Sequence, residues 1–423
     1  MEEQRRRRRN LLQNAVITLL SITAVALFTQ TQLYSLDLRE EAAGSGQTAS
    51  SAAPAADLSA PVRVAVTGPY GRYGAVALTT ASESFAEPLG RRLLEALGSA
   101  RDYAPCTGAD FLRALEGPSL YYDFLEPLPL SVLAALLGGG EEVSLREDLS
   151  ARRLLVAFQS GGAALYLWDG GESCFRAATA VSADSLSQVI SRYEQGGASF
   201  ALDGAAESPE RTLDPCSLLP GEPPELPAFS VGNPLTDSDW LLSALGFNPR
   251  SRTRHTESNG TELIMDGERT IRLRPDSSVF YQSGRDPSLR VQAEEDMPTL
   301  REAALGAGSI LNGLLAPASG EAQLWLQSVR RVGENKTLLR FGYQAGGVPI
   351  RFQDGGFAAE VTLTGVNVTA LVLRFREYRA LEEPSLLLPL AQALAVAAGS
   401  PGKELSIGYV ERGGECRACW LCD

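Results

Sequence analysis

AEVTLTGVNVTALVLRFREY, residues 359–378, is the stretch whose alternation predicts the fold of this chain. Apolar side chains occupy every second position, first at Ala359, Val361 and Leu363 and then at Leu371, Leu373 and Phe375. A period of two places successive side chains on opposite faces of a strand. The stretch therefore predicts a long antiparallel sheet with one dry face and one solvated face. A helix predicted over residues 385–398 would cover the dry face.

A smaller version of the same arrangement precedes this sheet. The middle of the chain combines a short helix over residues 237–245, three strands joined by turns at Asp266-Gly267 and Pro275-Asp276, and a helix over residues 298–315. We therefore predict an α+β fold class with two helix-plus-antiparallel-sheet modules, a middle one at residues 235–320 and a C-terminal one at residues 321–423.

We predict that residues 62–217 form a mixed α/β N-terminal ectodomain. Amphipathic helices over residues 88–97 and 182–193 flank strands predicted over residues 119–124, 153–158 and 163–168. Five prolines between residues 218 and 234 then predict a stiff, extended connector to the middle module.

The beginning of the chain predicts where these domains lie. Five arginines at residues 5–9 precede residues 11–33, which contain no charged residue, proline or glycine. As a helix this stretch would be about 34 Å long, enough to cross a hydrocarbon core of about 30 Å. We predict a basic cytoplasmic tail (residues 1–10), one transmembrane helix in the cell membrane (residues 11–33) and a flexible linker (residues 34–61). The bulk of the chain would then be extracytoplasmic.

A cleaved signal peptide is the alternative interpretation of this beginning. Ala24-Val25-Ala26 has the small-x-small pattern of a cleavage site. The uncharged stretch nevertheless continues through Leu27 to Leu33, which is longer than the core of a typical signal peptide. The length favours an uncleaved, single-pass anchor that contacts the lipid bilayer through one span.

The charge of the chain limits its partners. The net charge is −13 at pH 7, and because residues 1–36 carry +3, the remainder carries −16. An acidic ectodomain of this kind repels nucleic acid and anionic lipid, so neither is expected as its partner.

No catalytic or metal-binding set is recognisable in the sequence. His255 is the single histidine, in a predicted polar loop, and no G-x-S-x-G elbow is present. Cys416, Cys419 and Cys422 lie close together, but no fourth ligand accompanies them and Trp420 indicates a final strand instead. Cys106, Cys174 and Cys216 are scattered, which leaves open whether they are buried thiols or include one bridge. We predict a protein that is not an enzyme and binds no cofactor or metal.

The predicted transmembrane helix carries the candidate functional residues. Asn14, Thr18 and Ser21 are spaced i, i+4 and i+7, so they share one face of a helix. Polar side chains within a membrane form interhelical hydrogen bonds of about 0.6–2 kcal/mol. We predict that this face docks on another membrane helix, whereas the alternative is that the hydroxyls bond only to their own helix.

Four short stretches of the sequence are characteristic of a known family. The predicted middle module contains residues 245–249, LGFNP, and residues 266–273, DGERTIRL, and the predicted C-terminal module contains residues 341–344, FGYQ, and residues 373–378, LRFREY. These stretches resemble the middle module and the C-terminal sheet module of the YycH and YycI regulatory proteins of Gram-positive bacteria. These motifs are turns and strands, and none contains a catalytic residue.

The resemblance implies a function in signalling. Members of the family associate, mainly through membrane helices, with the sensor histidine kinase of a two-component system that controls the cell wall. It implies as partners the transmembrane helices of such a kinase and a related YycH/YycI-type protein. Two other interpretations stay open, an extracytoplasmic envelope-binding or scaffold protein without a signalling role and an unrecognised hydrolase.

Overall fold

A computed structural model describes residues 62–69, 73–77, 86–139, 149–235, 238–248, 253–285 and 287–423. The predicted cytoplasmic tail, transmembrane helix and linker, and with them Asn14, Thr18 and Ser21, lie outside the described residues.

The first half of the described chain forms a seven-stranded antiparallel sheet. The elements in chain order are β1 Arg63–Thr67, β2 Tyr73–Ala77, α1 Arg91–Ser99, β3 Arg101–Pro105, α2 Gly108–Leu115, β4 Ser119–Pro129, α3 Leu130–Leu136, β5 Ser150–Gln159, β6 Gly162–Trp168, β7 Cys174–Ala178, α4 Ala183–Ile190, β8 Ala198–Phe200 and β9 Leu218–Pro220. The strand order in the sheet is β2-β1-β4-β5-β6-β7-β3. A single π-helical turn, Ala86–Gly90, precedes α1, and a two-stranded hairpin, β8–β9, follows the sheet.

Both faces of this sheet are covered. Alternate residues of its central strands, such as Tyr122 and Leu154, pack in one hydrophobic cluster with α1 and α4. The intervening residues, such as Tyr121 and Leu155, pack in a second cluster with α2 and the β8–β9 hairpin. Burial on both faces explains why these strands are almost continuously apolar rather than alternating.

The second half forms a thirteen-stranded sheet in which the strands of both predicted modules are joined. The elements in chain order are β10 Leu226–Gly232, α5 Asp239–Ala244, β11 Thr253–Thr256, β12 Glu262–Asp266, β13 Arg269–Leu273, β14 Ser278–Gln282, α6 Leu300–Leu315, β15 Gln323–Arg331, β16 Lys336–Ala345, β17 Val348–Phe352, β18 Ala359–Thr364, β19 Asn367–Arg374, β20 Glu377–Ser385, α7 Leu390–Ala397, β21 Leu405–Arg412 and β22 Glu415–Cys422. The order is β11-β12-β13-β14-β19-β18-β16-β17-β21-β22-β10-β20, with β15 beside β16. All pairs are antiparallel except β17 with β21.

A close backbone contact links β20, the last strand in this order, to the residues that directly precede β15. A parallel bridge joins Gly320, just before β15, to Tyr378 in β20. Glu321 N donates to Tyr378 O at 2.9 Å, and Tyr378 N donates to Ser319 O at 3.1 Å. Tyr343, Tyr378 and Phe341 are fully buried within the curved sheet.

The helix that covers the long sheet is α6 and not the predicted helix over residues 385–398. Ala307 and Leu311 of α6 pack in the same cluster as Phe341. The chain continues as strand β20 to Ser385, and α7 begins only after Pro389, because a residue that precedes proline is disfavoured from helical geometry. The helix α7 packs instead on the β8–β9 hairpin through Leu394.

The predicted connector at residues 218–234 is also different in the structure. It contains strands β9 and β10, and β10 pairs with both β20 and β22. Pro227 lies opposite Pro384, and the register shifts between Pro227 and Phe229. Proline is tolerated at such irregular or edge positions, which explains how this proline-rich segment can contain paired strands.

The larger sheet contains two further segments for which the sequence made a prediction. His255 lies in the exposed edge strand β11 and not in a loop. Cys416, Cys419 and Cys422 lie on β22, which pairs with β21 over its whole length, so the strand predicted around Trp420 is confirmed. The α+β class is confirmed as well, and within the described residues no helix is long and apolar enough to cross a membrane.

Candidate functional site

A row of charged residues crosses three neighbouring strands of the seven-stranded sheet. Arg63 of β1 lies directly opposite Asp123 of β4, which in turn lies opposite Arg153 of β5. Directly opposed residues on one face are in side-chain contact. The strand register therefore places one carboxylate between two guanidinium groups.

Three further residues complete what we call the ion cluster, defined as Arg63, Asp123, Arg152, Arg153, Asp214 and Glu404. Arg152 donates to both oxygens of Asp123, from Nε to Oδ1 at 2.9 Å and from Nη2 to Oδ2 at 3.0 Å. Arg153 Nη2 donates to Asp214 Oδ2 at 3.0 Å. The cluster pairs three positive with three negative side chains and is therefore balanced in charge.

Glu404 connects the two sheets through this cluster. It lies immediately before β21 of the larger sheet, yet its oxygens reach three arginines of the smaller one. Arg63 Nη1 lies 2.5 Å from Oε1, Arg153 Nη2 lies 3.2 Å from Oε2, and Arg152 also pairs with Oε2. The contacts from Arg152 and Arg153 span about 250 residues of sequence, and the contact from Arg63 spans more, so they join parts of the chain that no local pattern relates.

The environment of the ion cluster favours the charged forms of its carboxylates. The side chains of Arg153, Asp123 and Glu404 are only 1%, 2% and 8% exposed. Burial alone would raise the pKa of Asp123, but the surrounding arginines outweigh it and hold this pKa below its ordinary value. The same balance of burial against the arginines lowers the pKa of Glu404.

Arg153 has a partner besides the carboxylates. Its guanidinium carbon lies 5.2 Å from the centroid of the Trp168 ring, a cation–π distance. Trp168 lies opposite Arg153 on β6, so the same row of the sheet supplies this contact. Among the described residues, Arg153 Nε and Nη1 have no hydrogen-bond acceptor, although Nε lies 3.9 Å from Asp123 Oδ2.

A cleft of about 470 Å³ opens beside the ion cluster, between the two sheets. Its lining includes Arg63, Arg152 and Glu404 together with apolar side chains such as Trp325, Phe352 and Leu421. A mixed lining with a few oriented polar groups is typical of small-molecule sites. Within the described residues, no group of histidine, cysteine and acidic side chains is arranged to hold a metal ion.

Sequence reasoning missed the ion cluster, although one signal was present. Asp123 interrupts the apolar run of β4, and Arg152-Arg153 directly precede the apolar run of β5. A charged residue within a strand that is buried on both faces needs a buried partner. The partner Glu404 could not be identified, because it lies on a distant element.

We expect the ion cluster to make the protein sensitive to acid. The pKa values of Asp123 and Glu404 are lower in the folded than in the unfolded chain, where they are about 3.9 and 4.3. Protons therefore bind the unfolded chain first as the pH falls, and folding is favoured above those values. The stabilisation should be complete above about pH 5 and decrease progressively as the pH falls below about 4 toward the folded pKa values. Urea unfolding at a series of pH values checks this, and Glu404→Gln should flatten the profile; an equally steep profile in that variant would contradict the assignment.

Comparison with known proteins addresses the fold. No protein-family model matches the chain, and no curated protein matches it. Among solved structures, it is similar to the crystal structure of YycH from Bacillus subtilis, with a TM-score of 0.52 over 87% of this chain and 94% of that one. The chain has a YycH-type fold. The sequence identity is 11%, so the similarity concerns architecture, and the resemblance found in the sequence is confirmed at that level.

The YycH-type fold agrees with the motifs that carried the resemblance. The residues 266–273 form the turn and second strand of the β12–β13 hairpin. The residues 341–344 lie in β16 and residues 373–378 lie at the junction of β19 and β20. These motifs are structural, because they form turns and paired strands of the larger sheet.

Proposed function

We propose that this protein is a single-pass, membrane-anchored regulator whose extracytoplasmic part adjusts a two-component sensor histidine kinase. The observation that carries the proposal is the YycH-type fold, which extends over 87% of the chain. The basic block at residues 5–9 and the uncharged stretch at residues 11–33 support the membrane anchor and a cytoplasmic N-terminus.

The proposed mechanism is contact between membrane helices. The face formed by Asn14, Thr18 and Ser21 would bind the transmembrane helices of the kinase, with a related YycH/YycI-type protein as a further partner. A regulator changes a two-state kinase only if it binds the two states with different free energies. The ectodomain would contribute to that difference from outside the membrane.

The cleft supports a second candidate function. Its volume and its mixed lining would suit a small, partly apolar envelope molecule with hydrogen-bonding groups. In that case the protein would be an extracytoplasmic binding or scaffold protein without a signalling role. The two candidate functions differ in whether they need the polar face of the predicted transmembrane helix, since a scaffold would not need Asn14 or Thr18.

We expect the double substitution Asn14→Leu with Thr18→Leu to weaken association with the kinase about tenfold. Each interhelical polar contact contributes about 0.6–2 kcal/mol, and about 1.4 kcal/mol corresponds to a factor of ten. The measurement is the amount of kinase that co-purifies with the tagged full-length protein from detergent-solubilised membranes.

The control for this experiment is Thr23→Leu. Thr23 lies nine residues after Asn14, which is half a turn away on a helix of 3.6 residues per turn. This substitution makes the same chemical change on the opposite side and should leave co-purification unchanged. Equal amounts of kinase with the double variant, the control and the unsubstituted protein would refute the helix-contact mechanism.

A further inference from the structure

The charged row of the seven-stranded sheet ends in two cysteines. Trp168 of β6 lies opposite Cys174, the first residue of β7. On the other side of β7, Pro105 of β3 pairs with Phe175, and Cys106 N donates to Cys174 O at 2.9 Å. Cys106 therefore continues the same row one strand further, at the edge of the sheet.

The two thiols are in direct contact. Their Sγ atoms lie 2.6 Å apart, which is shorter than the van der Waals contact distance of two unbonded sulfur atoms. Directly opposed residues on antiparallel strands bring their Cβ atoms to about the separation that a disulfide needs. Sixty-eight positions of sequence separate the two cysteines, so the contact depends on the fold.

We propose that Cys106 and Cys174 form a disulfide under the oxidising conditions outside the membrane. The inference goes beyond the proposed function and uses from it only the extracytoplasmic placement of this domain, since disulfides persist in such compartments. The other four cysteines remain thiols in this proposal. Cys216 is buried, and Cys416, Cys419 and Cys422 lie on one strand, β22.

The chemistry requires an oxidant, which we identify by class as the disulfide of an exported thiol–disulfide oxidase. Cys106 is half-buried and Cys174 is buried, so the Cys106 thiolate attacks the oxidant first and forms a mixed disulfide. The Cys174 sulfur then displaces the oxidant, and the S–S bond forms. The two cysteines lose two electrons and two protons, and the oxidant leaves as a dithiol.

The disulfide would hold an exposed edge strand in place. β3 has mostly exposed side chains, pairs with β7 alone among the described strands, and shows a register irregularity between Arg101 and Ala104. The bridge would also fix the start of α2, whose capping residue Thr107 directly follows Cys106. Closing a loop of this length restricts the unfolded chain and should raise the melting temperature by several degrees, on the order of 5 °C.

The test uses the purified, reduced full-length protein and glutathione disulfide as the oxidant. After oxidation, free thiols are blocked under denaturing conditions and the protein is digested with trypsin without reduction. Cleavage after arginine places Cys106 in residues 102–113 and Cys174 in residues 154–176. We expect these two peptides as one linked species that separates on reduction, and four blocked cysteines elsewhere.

A second measurement compares the melting temperature of each protein before and after reduction, so that each variant serves as its own reference. The unsubstituted protein should lose several degrees of melting temperature on reduction, whereas Cys106→Ser with Cys174→Ser should show no such response. The control Cys422→Ser, at an exposed position of β22, should retain it. Separate blocked peptides or a link to another cysteine would overturn the proposal. Because this oxidation does not depend on the kinase or on location, its failure is distinguishable from failure of the proposed function.

Discussion

Glu404→Gln is expected to lower the free energy of unfolding by about 3–5 kcal/mol, which is typical when one partner is removed from a buried ion pair. The substitution keeps the size of the side chain but removes the charge that Arg63, Arg152 and Arg153 share. Three guanidinium groups would then face two carboxylates, and Arg153, which is almost fully buried, cannot recover the difference from water. Urea unfolding monitored by tryptophan fluorescence measures the change.

The matched control for this substitution is Glu268→Gln. Glu268 also pairs with an arginine, with 3.3 Å between Arg285 Nε and Glu268 Oε1, but the two side chains are 55% and 89% exposed. Exposed ion pairs contribute about 1 kcal/mol or less, so this variant should be nearly as stable as the unsubstituted protein. If both variants lost the same small amount of stability, the ion cluster would not make a buried contribution to the stability of the fold.

Gly320→Ala is expected to lower the free energy of unfolding by about 3–4 kcal/mol. Gly320 has a φ of +65°, and a Cβ added there would lie 2.2 Å from Tyr378 O. The same oxygen accepts from Glu321 N, and Tyr378 N donates to Ser319 O. The carbonyl cannot move away without breaking these bonds, so the junction of β15 with β20 would open. Urea unfolding provides the measurement here as well.

Gly267→Ala separates the effect of backbone conformation from that of the close contact. Gly267 has a similar φ of +62° in the turn between β12 and β13, but no atom lies within 4 Å of the position of its added Cβ. A left-handed conformation alone costs about 1–2 kcal/mol in a residue with a side chain. A loss in Gly320→Ala no larger than that in Gly267→Ala would show that the contact with Tyr378 does not hold the sheet.

The turns and strands of the larger sheet were largely predictable from the sequence. Ile271 and Leu273 are buried and Arg272 between them is exposed, as the alternation indicated. The tight turn between β12 and β13 is formed by Gly267-Glu268, one residue later than the predicted Asp266-Gly267, because Asp266 pairs with Arg269. These features depend on neighbouring residues, because the period of a strand and the conformation of a turn follow from local backbone geometry.

The packing of helices on the sheets was less predictable. Residues 298–315 and 385–398 are both apolar, and the sequence favoured the second as the cover of the long sheet. The structure shows that α6 takes this position and that α7 packs on the β8–β9 hairpin. Amphipathic patterns identify a face that becomes buried, but they do not identify the surface against which it packs.

The α+β class, the alternation of the strands, the turns between them and the resemblance to the YycH-type fold could all be predicted from the sequence. The covered faces of the sheets, and the meeting of Asp123, Arg153 and Glu404 in one place, became visible in the folded chain. Local geometry repeats within a few residues and is therefore visible in the sequence. A buried charge is stable only if a specific opposite charge reaches it, and here that charge comes from an element about 250 residues away.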